Sequence, residues 1–255
     1  MVETGLAALD RSGAHVIYAA LLADLLAERG IAVEKLLEPT GIEPADLRAL
    51  DGRLSTRQYI ALIRNARQLT RDPALAFHFG LQLKLSTHGF LGFAAMSAST
   101  LGEALELAMK YCRTRFEFMN LLYYREKGFG VVEIVEAVPM GDAYSFMLEA
   151  FLTSFAVMSV NLLGEVPGDI QVRRICDKPA WFDEARRLFQ VQHAVQFNDS
   201  VDQIRIPETH LQRKLVLSDP VARQLAEAQC EKELQTIQVR DDLVYRVTRL
   251  LKDFD

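Results

Sequence analysis

The stretch FEFMNLLYYREKGFGVVEIV, residues 116–135, gives the clearest indication of tertiary structure in this chain. Two runs rich in aromatic and branched residues, 116–125 and 129–135, are separated by Glu126-Lys127-Gly128. Aromatic and branched side chains favour strands, and a short polar segment ending in glycine is typical of a tight turn. The stretch therefore predicts an antiparallel β-hairpin.

A long helix is predicted after this hairpin, because large apolar residues recur at the spacing of one helix face until glycine and proline end the pattern. The positions are Tyr144, Met147, Phe151, Phe155, Met158 and Leu162, followed by Gly164 and Pro167. Beyond them we expect a strand at 170–176 and a helix around 181–189. A second hairpin is predicted to pair 193–197 with 201–206 around a turn at 198–200.

The two ends of the chain read as helices. In the first third, one apolar stripe runs from Tyr18 to Leu26 and a second from Tyr59 to Leu69. Thr100 and Glu103 have the spacing of a capping box at the start of a further helix. In the tail, Asp219-Pro220 predicts one helix start, and Asp241-Asp242 predicts the start of a final amphipathic helix.

Strands do not alternate regularly with helices, so the order of elements predicts an α+β fold rather than a doubly wound sheet. We divide the chain into a helical N-terminal section at 1–87, a mixed section at 88–217 and a helical tail at 218–255. The mixed section would hold the two β-hairpins and the long core helix.

Charge and cysteine usage exclude several classes. The formal net charge of −5 is unlike a free-standing nucleic-acid binder, because neutralising phosphates needs a basic surface. The pairs Arg113/Arg115, Arg173/Arg174 and Arg186/Arg187 are predicted to be solvated surface. The three cysteines are scattered, which predicts free thiols in a reducing cytoplasm. Apolar runs are too short or too interrupted for a membrane span, and the N-terminus lacks a basic signal region.

The catalytic templates that we considered are missing from this sequence. It has no nucleophile elbow, P-loop, dinucleotide fingerprint or zinc-protease motif, and its five histidines have no ligand-like spacing. Glu133 and Glu136 flank a predicted strand, where solvated carboxylates are the simpler interpretation than an acid–base pair. We therefore predict no enzyme activity, no cofactor and no metal.

One set of residues does suggest a binding pocket. Methionine and phenylalanine can line an apolar cavity, and paired arginines can bind a carboxylate. The candidates are Phe116, Phe118, Tyr123, Met147, Phe151 and Phe155, with Arg113 and Arg115. The alternative is that these apolar side chains are ordinary core.

Four segments together carry a family resemblance. HGFLGFAAMSASTLGEALELAMKYCRTRF, residues 88–116, resembles a signature of the N-terminal arabinose-binding-like domain of AraC-type transcription regulators. Three further stretches are similar to the same family: 26–62, 72–83 and 181–220. Each motif alone is mostly packing and turn chemistry, whereas their order and spacing along residues 14–251 are fairly specific.

The resemblance implies a cytoplasmic bacterial regulator whose mixed section binds a small-molecule effector and whose chain forms a homodimer. In that family, two helix-turn-helix units after the sensor bind DNA, so we expect DNA binding only through a C-terminal domain absent from this chain. A small carboxylate or amine is the expected effector. Two alternatives stay open: a dimerisation module without a ligand, and a small-molecule enzyme whose site forms only in the fold. The second would place His78, His88 or His193 beside a carboxylate in a polar pocket.

Overall fold

Ten helices and seven strands lie in the part of the chain that the computed structural model describes, residues 9–10, 12–49, 51–189 and 195–252, with side chains up to residue 237. The helices are α1 (Ile17–Ala27), α2 (Val33–Leu37), α3 (Thr56–Thr70), α4 (Leu75–Gln82), α5 (Phe90–Met96), α6 (Leu101–Tyr111), α7 (Asp142–Leu163), α8 (Phe182–Leu188), α9 (Glu208–Leu211) and α10 (Pro220–Lys252). The strands are β1 (Ser12–His15), β2 (Arg53–Ser55), β3 (Met119–Glu126), β4 (Phe129–Glu136), β5 (Gln171–Arg173), β6 (Val195–Gln196) and β7 (Gln203–Pro207). Short 3₁₀ turns occupy Asp46–Arg48, Leu85–His88 and Cys112–Thr114. The fold is α+β, as predicted.

The first predicted hairpin is confirmed as β3–β4, with strand β3 beginning at Met119. Glu126 pairs with Phe129, which leaves Lys127 and Gly128 as a two-residue loop. Both loop residues have positive φ, 49° and 80°. Two consecutive positive φ angles are the requirement of a type I′ turn, whose twist matches that of the flanking strands.

The second predicted hairpin is wrong. The five-stranded sheet has the order β3-β4-β7-β5-β6, so β5 lies between the two strands that the sequence suggested as partners. Val172 of β5 pairs with Ile204 on one side and with Val195 on the other. Arg173 binds Asp199 through two nitrogens at 2.8 Å, which holds the 198–202 connection across the end of β5. Residues 190–194, including His193, lie outside the described residues.

Helix α7 is the central element of the core. Among the described residues it is the one helix long and apolar enough to cross a membrane by length and composition. A helix that is apolar all round packs between other elements in a folded domain, and α7 lies against α4 over much of its length. A Cβ at Gly80 of α4 would lie 2.6 Å from the Ala150 carbonyl oxygen, so glycine permits this close approach.

A small two-stranded sheet in the first third was not predicted. β1 pairs antiparallel with β2, and each has only three or four residues, too few to show an alternating pattern. Ser55, the last residue of β2, caps α3 together with Gln58 in a capping box. The remaining helices of this section follow the predicted stripes.

Two helix starts differ in detail from the expectation. Thr100 accepts a hydrogen bond from the Glu103 amide, but the Glu103 carboxylate accepts from Ser99 instead of closing a capping box. Asp219 caps α10 as predicted, by accepting from the amides of Val221 and Ala222. The predicted break at Asp241 is wrong, because α10 continues to Lys252; two aspartates alone do not interrupt a helix that lacks glycine and proline there.

Candidate functional site

Two apolar pockets lie on the two faces of α7. The inner pocket is lined by one face of α7, by α5 and α6, and by the segments 85–88 and 112–116. The Trp181 pocket is lined by the other face of α7, by α8 and by the sheet. Phe155 contributes to both. The cavity volume is about 90 Å³ in the inner pocket and about 110 Å³ in the Trp181 pocket, below the roughly 300–1,000 Å³ that is typical of sites for drug-sized ligands.

The wall of the inner pocket follows from helical periodicity. Its α7 residues recur at three- and four-residue intervals: Phe151, Ser154, Phe155, Met158, Ser159 and Leu162. The facing α6 wall has the same spacing but smaller residues: Leu101, Ala104, Leu105, Ala108 and Met109. Alanine at the facing positions leaves the space that larger side chains would fill. These alanines were the signal in the sequence that our candidate set did not use.

The structure brings together half of the predicted pocket residues. Arg115, Phe116, Phe151 and Phe155 line the inner pocket. Phe118 and Met147 are instead buried in the core, and Arg113 lies exposed on the surface. Tyr123 packs against the core on β3, with its hydroxyl buried and without a hydrogen-bond partner. The lining that the sequence missed includes His88, which belongs to the glycine-containing segment before α5.

Arg115 is the charged group of the inner pocket. The prediction that the arginine pairs are solvated is wrong for this residue and for Arg174, since each side chain is only 5% exposed. Both are stabilised by a carboxylate: Glu233 of α10 accepts from Arg115, and Asp202 accepts from Arg174. A buried guanidinium needs such a partner, because an unpaired charge is costly to desolvate. Contacts distant in sequence therefore decided which arginines are surface.

His88 is the second polar group of this pocket. Its Nδ1 lies 2.8 Å from the Tyr18 hydroxyl, whereas its Nε2 is buried without a hydrogen-bond partner. Burial, with a smaller contribution from Arg115, lowers the pKa of His88 to about 4, so the ring is neutral at pH 7. Burial also raises the pKa of the lining Cys112 thiol to about 11, which keeps it protonated.

An outer groove lies on the other side of Arg115. It is lined by parts of the 15–17, 47–51 and 86–93 segments, and by Glu233. Arg115 lines both this groove and the inner pocket. The guanidinium therefore separates an apolar interior from a more polar surface that includes the C-terminal helix.

The Trp181 pocket was not anticipated by the sequence. Trp181 stacks on Phe77 with ring centroids 5.1 Å apart, and Phe182 meets Phe197 edge to face. Arg174 lines the pocket, but its guanidinium is held by Asp202 at 2.9 Å. Two of its lining residues, Phe189 and Val195, flank in sequence the segment 190–194, which lies outside the described residues. We therefore take the inner pocket, with its unpartnered His88 nitrogen, as the candidate site.

Glu133 and Glu136, which the sequence left as either solvated carboxylates or an acid–base pair, both accept structural hydrogen bonds. Glu133 accepts hydrogen bonds from Tyr124 and Gln203, and Glu136 accepts from the Met140 amide. His78 lies 3.0 Å from Asp72, on the half-exposed start of α4 and away from both pockets. Within the described residues, histidine, cysteine and carboxylate side chains form no group of three that could hold a metal.

Comparison with known proteins gives a consistent result. Residues 30–215 match the family described as the arabinose-binding domain of AraC transcription regulators, N-terminal. The Ornithine utilization regulator of Pseudomonas aeruginosa is 33% identical over 236 residues, covering 92% of this chain and 69% of that protein. An uncharacterized HTH-type transcriptional regulator of Mycobacterium tuberculosis is 26% identical over 250 residues, covering 94% of this chain and 71% of that protein.

A solved structure shares the fold. The crystal structure of the transcriptional regulator CdpR from Pseudomonas aeruginosa superposes with a TM-score of 0.61 at 20% identity. The match covers 88% of this chain, which spans 65% of the CdpR chain. At this identity the likeness concerns architecture alone.

Proposed function

This chain belongs to the AraC transcription regulators through their arabinose-binding N-terminal domain, and we propose that it is the sensor that lets such a regulator respond to a small metabolite. The observation that carries the proposal is the inner pocket, a cavity whose lining is almost wholly apolar and includes a buried arginine. A solid core at this place would have favoured a dimerisation module without a ligand. Its relatives are named as regulators, which supports a role other than catalysis.

The response would work by linkage. An effector that binds one arrangement of the domain more tightly than another shifts the population toward the first. Helix α10 is placed to report such a shift, because it packs on α5 and on the 112–114 turn next to the pocket. In the full-length regulators of this family we expect that helix to lead toward the DNA-binding half. The domain would act in the bacterial cytoplasm.

A homodimer is the second part of the proposal. Four apolar side chains just before and at the start of α10 are each more than half exposed: Val216, Leu217, Val221 and Leu225. Contiguous exposed apolar residues are typical of interfaces. Leu225→Lys should shift the chain to a monomer in sedimentation equilibrium, whereas Gln235→Lys, at an exposed polar position further along the helix, should not. A dimer that survives Leu225→Lys would remove α10 from the interface.

The name of the ornithine utilization regulator suggests ornithine as a candidate effector to compare with the inner pocket. Ornithine carries two ammonium groups, and the lining of the inner pocket contains no carboxylate to bind them. Removing an ammonium group from water without an anionic partner costs on the order of several kcal/mol. The pocket supports an effector with a larger apolar part.

The test is a thermal-shift screen of this chain against amino acids, polyamines, sugars, fatty acids and aromatic acids. A ligand at a hundredfold excess over Kd stabilises the folded state by about 2.7 kcal/mol. Two pocket-filling variants locate the site: Ala108→Phe occupies the inner pocket and Ala156→Phe occupies the Trp181 pocket. We expect a dose-dependent rise in Tm that Ala108→Phe abolishes and Ala156→Phe retains. If no compound gives a rise in Tm that Ala108→Phe abolishes, the dimerisation module becomes the better interpretation.

A further inference from the structure

Two side chains that can donate hydrogen bonds, Arg115 and His88, stand in the otherwise apolar wall of the inner pocket. Arg115 presents a buried guanidinium, with Nε donating to Thr114 and Nη2 donating to Glu233. Gly89 lies against the same guanidinium, since a Cβ at that position would be 3.0 Å from Nη1. The arginine is therefore held in place from the protein side while it lines the pocket.

His88 supplies the second donor. The Tyr18 hydroxyl is buried and stays protonated, because burial raises its pKa well above the usual value. Its O–H can donate to His88 Nδ1, which leaves the ring proton of the neutral imidazole on Nε2. That N–H is buried and has no acceptor within the described residues. A buried donor without a partner is costly, and a ligand acceptor would remove the cost.

The other hydroxyl groups of the pocket lining already donate to backbone carbonyls, so they do not compete with Arg115 and His88 for a ligand. The Ser154 hydroxyl donates to the Leu83 carbonyl, and the Ser159 hydroxyl donates to the Phe155 carbonyl. The remaining lining is leucine, alanine, methionine, phenylalanine, glycine and a protonated cysteine. The pocket is thus complementary to a molecule with one anionic head and an apolar body.

Resting on the proposed sensor function, we propose that the effector is an apolar monocarboxylate whose head binds Arg115 and His88 Nε2, in competition with Glu233 of α10. The charge-assisted bond to a guanidinium is among the stronger hydrogen bonds in proteins. Two carboxylates on one buried guanidinium repel each other, so binding weakens the Arg115–Glu233 pair. The contact broken is the one that joins the pocket to the C-terminal helix.

Helix α10 has other contacts that would persist. The Tyr111 hydroxyl lies within hydrogen-bonding distance of Glu227 and of Glu231 and can donate to either, and Arg223 pairs with Glu103 at 2.6 Å. Cys230, which belongs to α10, is fully buried. Of these contacts, Arg115–Glu233 is the pair whose cation lines the pocket. Loss of this pair would loosen α10 from residue 233 onward and leave its first turns docked.

The ligand class is tested by calorimetric titration with decanoate, 1-decanol and L-ornithine. Decanoate should bind at least about tenfold more tightly than 1-decanol, since a hydrogen bond to a charged group contributes that much. Ala108→Phe should abolish binding of both, whereas Ala156→Phe should leave both unchanged. Arg115→Gln should reduce the affinity for decanoate to that for 1-decanol. His88→Phe should act in the same direction, and it serves as the second variant if Arg115→Gln does not fold.

The outcomes separate the two proposals. Equal affinities for decanoate and 1-decanol, both sensitive to Ala108→Phe, would overturn the carboxylate assignment and leave the sensor standing. Ornithine binding that Ala108→Phe abolishes would do the same. A further outcome is that binding abolished by Ala108→Phe is found for none of these probes and for no compound of the wider screen. In that case the sensor proposal fails, and this inference fails with it.

The competition with Glu233 has its own test. Glu233→Gln should raise the affinity for decanoate about fivefold, at the lower end of typical coupling between sites. Glu231→Gln is the matched control, because Glu231 pairs with Tyr111 and Lys110 outside the pocket, and it should leave the affinity unchanged. In hydrogen exchange, decanoate should speed exchange in α10 near residue 233 of the wild type but not of Glu233→Gln. Slower or unchanged exchange there in the wild type would refute the competition.

Discussion

Replacing Asp202 by alanine should destabilise the domain far more than replacing Asp183, although both carboxylates sit in ion pairs of nearly equal length. Asp202 accepts from Arg174 Nε at 2.9 Å, and Asp183 accepts from Lys178 at 2.8 Å. The side chains of the first pair are 5% and 7% exposed, and those of the second are 49% and 62% exposed. Burial is therefore the variable that distinguishes the two substitutions.

The magnitude follows from what each substitution leaves behind. Asp202→Ala leaves a buried guanidinium and the Ile175 amide without their acceptor. Breaking a buried pair in this way typically costs about 3–5 kcal/mol. Glu149 offsets part of this loss, since Arg174 is close enough to lower the pKa of that carboxyl against the rise caused by burial. We therefore expect about 3 kcal/mol for Asp202→Ala. The loss for Asp183→Ala should be much smaller, because solvent screens its exposed pair, even though the substitution also removes an acidic residue from the first turn of α8.

Urea unfolding followed by far-UV circular dichroism measures both values, at one protein concentration because the stability of a dimer depends on it. The dependence of the unfolding free energy on urea should not change between variants. A double variant, Arg174→Met with Asp202→Leu, should be less destabilised than Asp202→Ala, because no charge is left buried. Equal losses for Asp202→Ala and Asp183→Ala would refute the argument from burial.

Three further predictions concern single positions. Gly92→Ala should cost about 1–3 kcal/mol in urea unfolding, because its Cβ would lie 1.7 Å from the Leu85 carbonyl oxygen, whereas Gly168→Ala meets nothing within 4 Å and should be nearly neutral; similar losses would contradict this. Burial lowers the folded-state pKa of His88 to about 4, below its value of 6.5 in the unfolded chain, so its contribution to stability should be lost as pH falls from about 6.5 to 4. His88→Phe should remove up to about 3 kcal/mol of this pH dependence, and an unchanged profile would show that the ring is accessible to protons. Thr100→Ala should cost about 1 kcal/mol by removing the cap on the Glu103 amide, and a thermal midpoint equal to the wild type would show that the bond adds no stability.

Local signals predicted the elements that depend on local chemistry. The β3–β4 hairpin, the extent of α7 and the start of α10 follow from turn residues, helical spacing and an aspartate–proline cap, all within a few positions in the chain. The identity of the strand that pairs with β7 could not be predicted from such local signals. A three-residue strand carries too little pattern to reveal that β5 is inserted beside it.

In the candidate site too, the sequence predicted the kind of residue but not its place in the fold. Aromatic and methionine residues on α7 predicted a pocket wall, and Phe116, Phe151 and Phe155 lie there. The sequence did not distinguish them from Phe118 and Met147, which are core, because each of these two is as large and apolar as the pocket residue that lies two to four positions away in the chain.

By its residues alone, this sequence determined an α+β fold, because turns, caps and apolar periodicity are encoded within short segments. The family was indicated separately, by the resemblance of four segments, in their order and spacing, to AraC regulators. The tertiary structure decided which arginine is buried at a pocket, which histidine nitrogen lacks a partner, and that Glu233 reaches Arg115 from 118 positions along the chain. Burial and charge pairing depend on residues that meet only when the chain is folded. The physical properties that single out the proposed site are therefore properties of contacts, and contacts at such separation leave no local pattern in a single sequence.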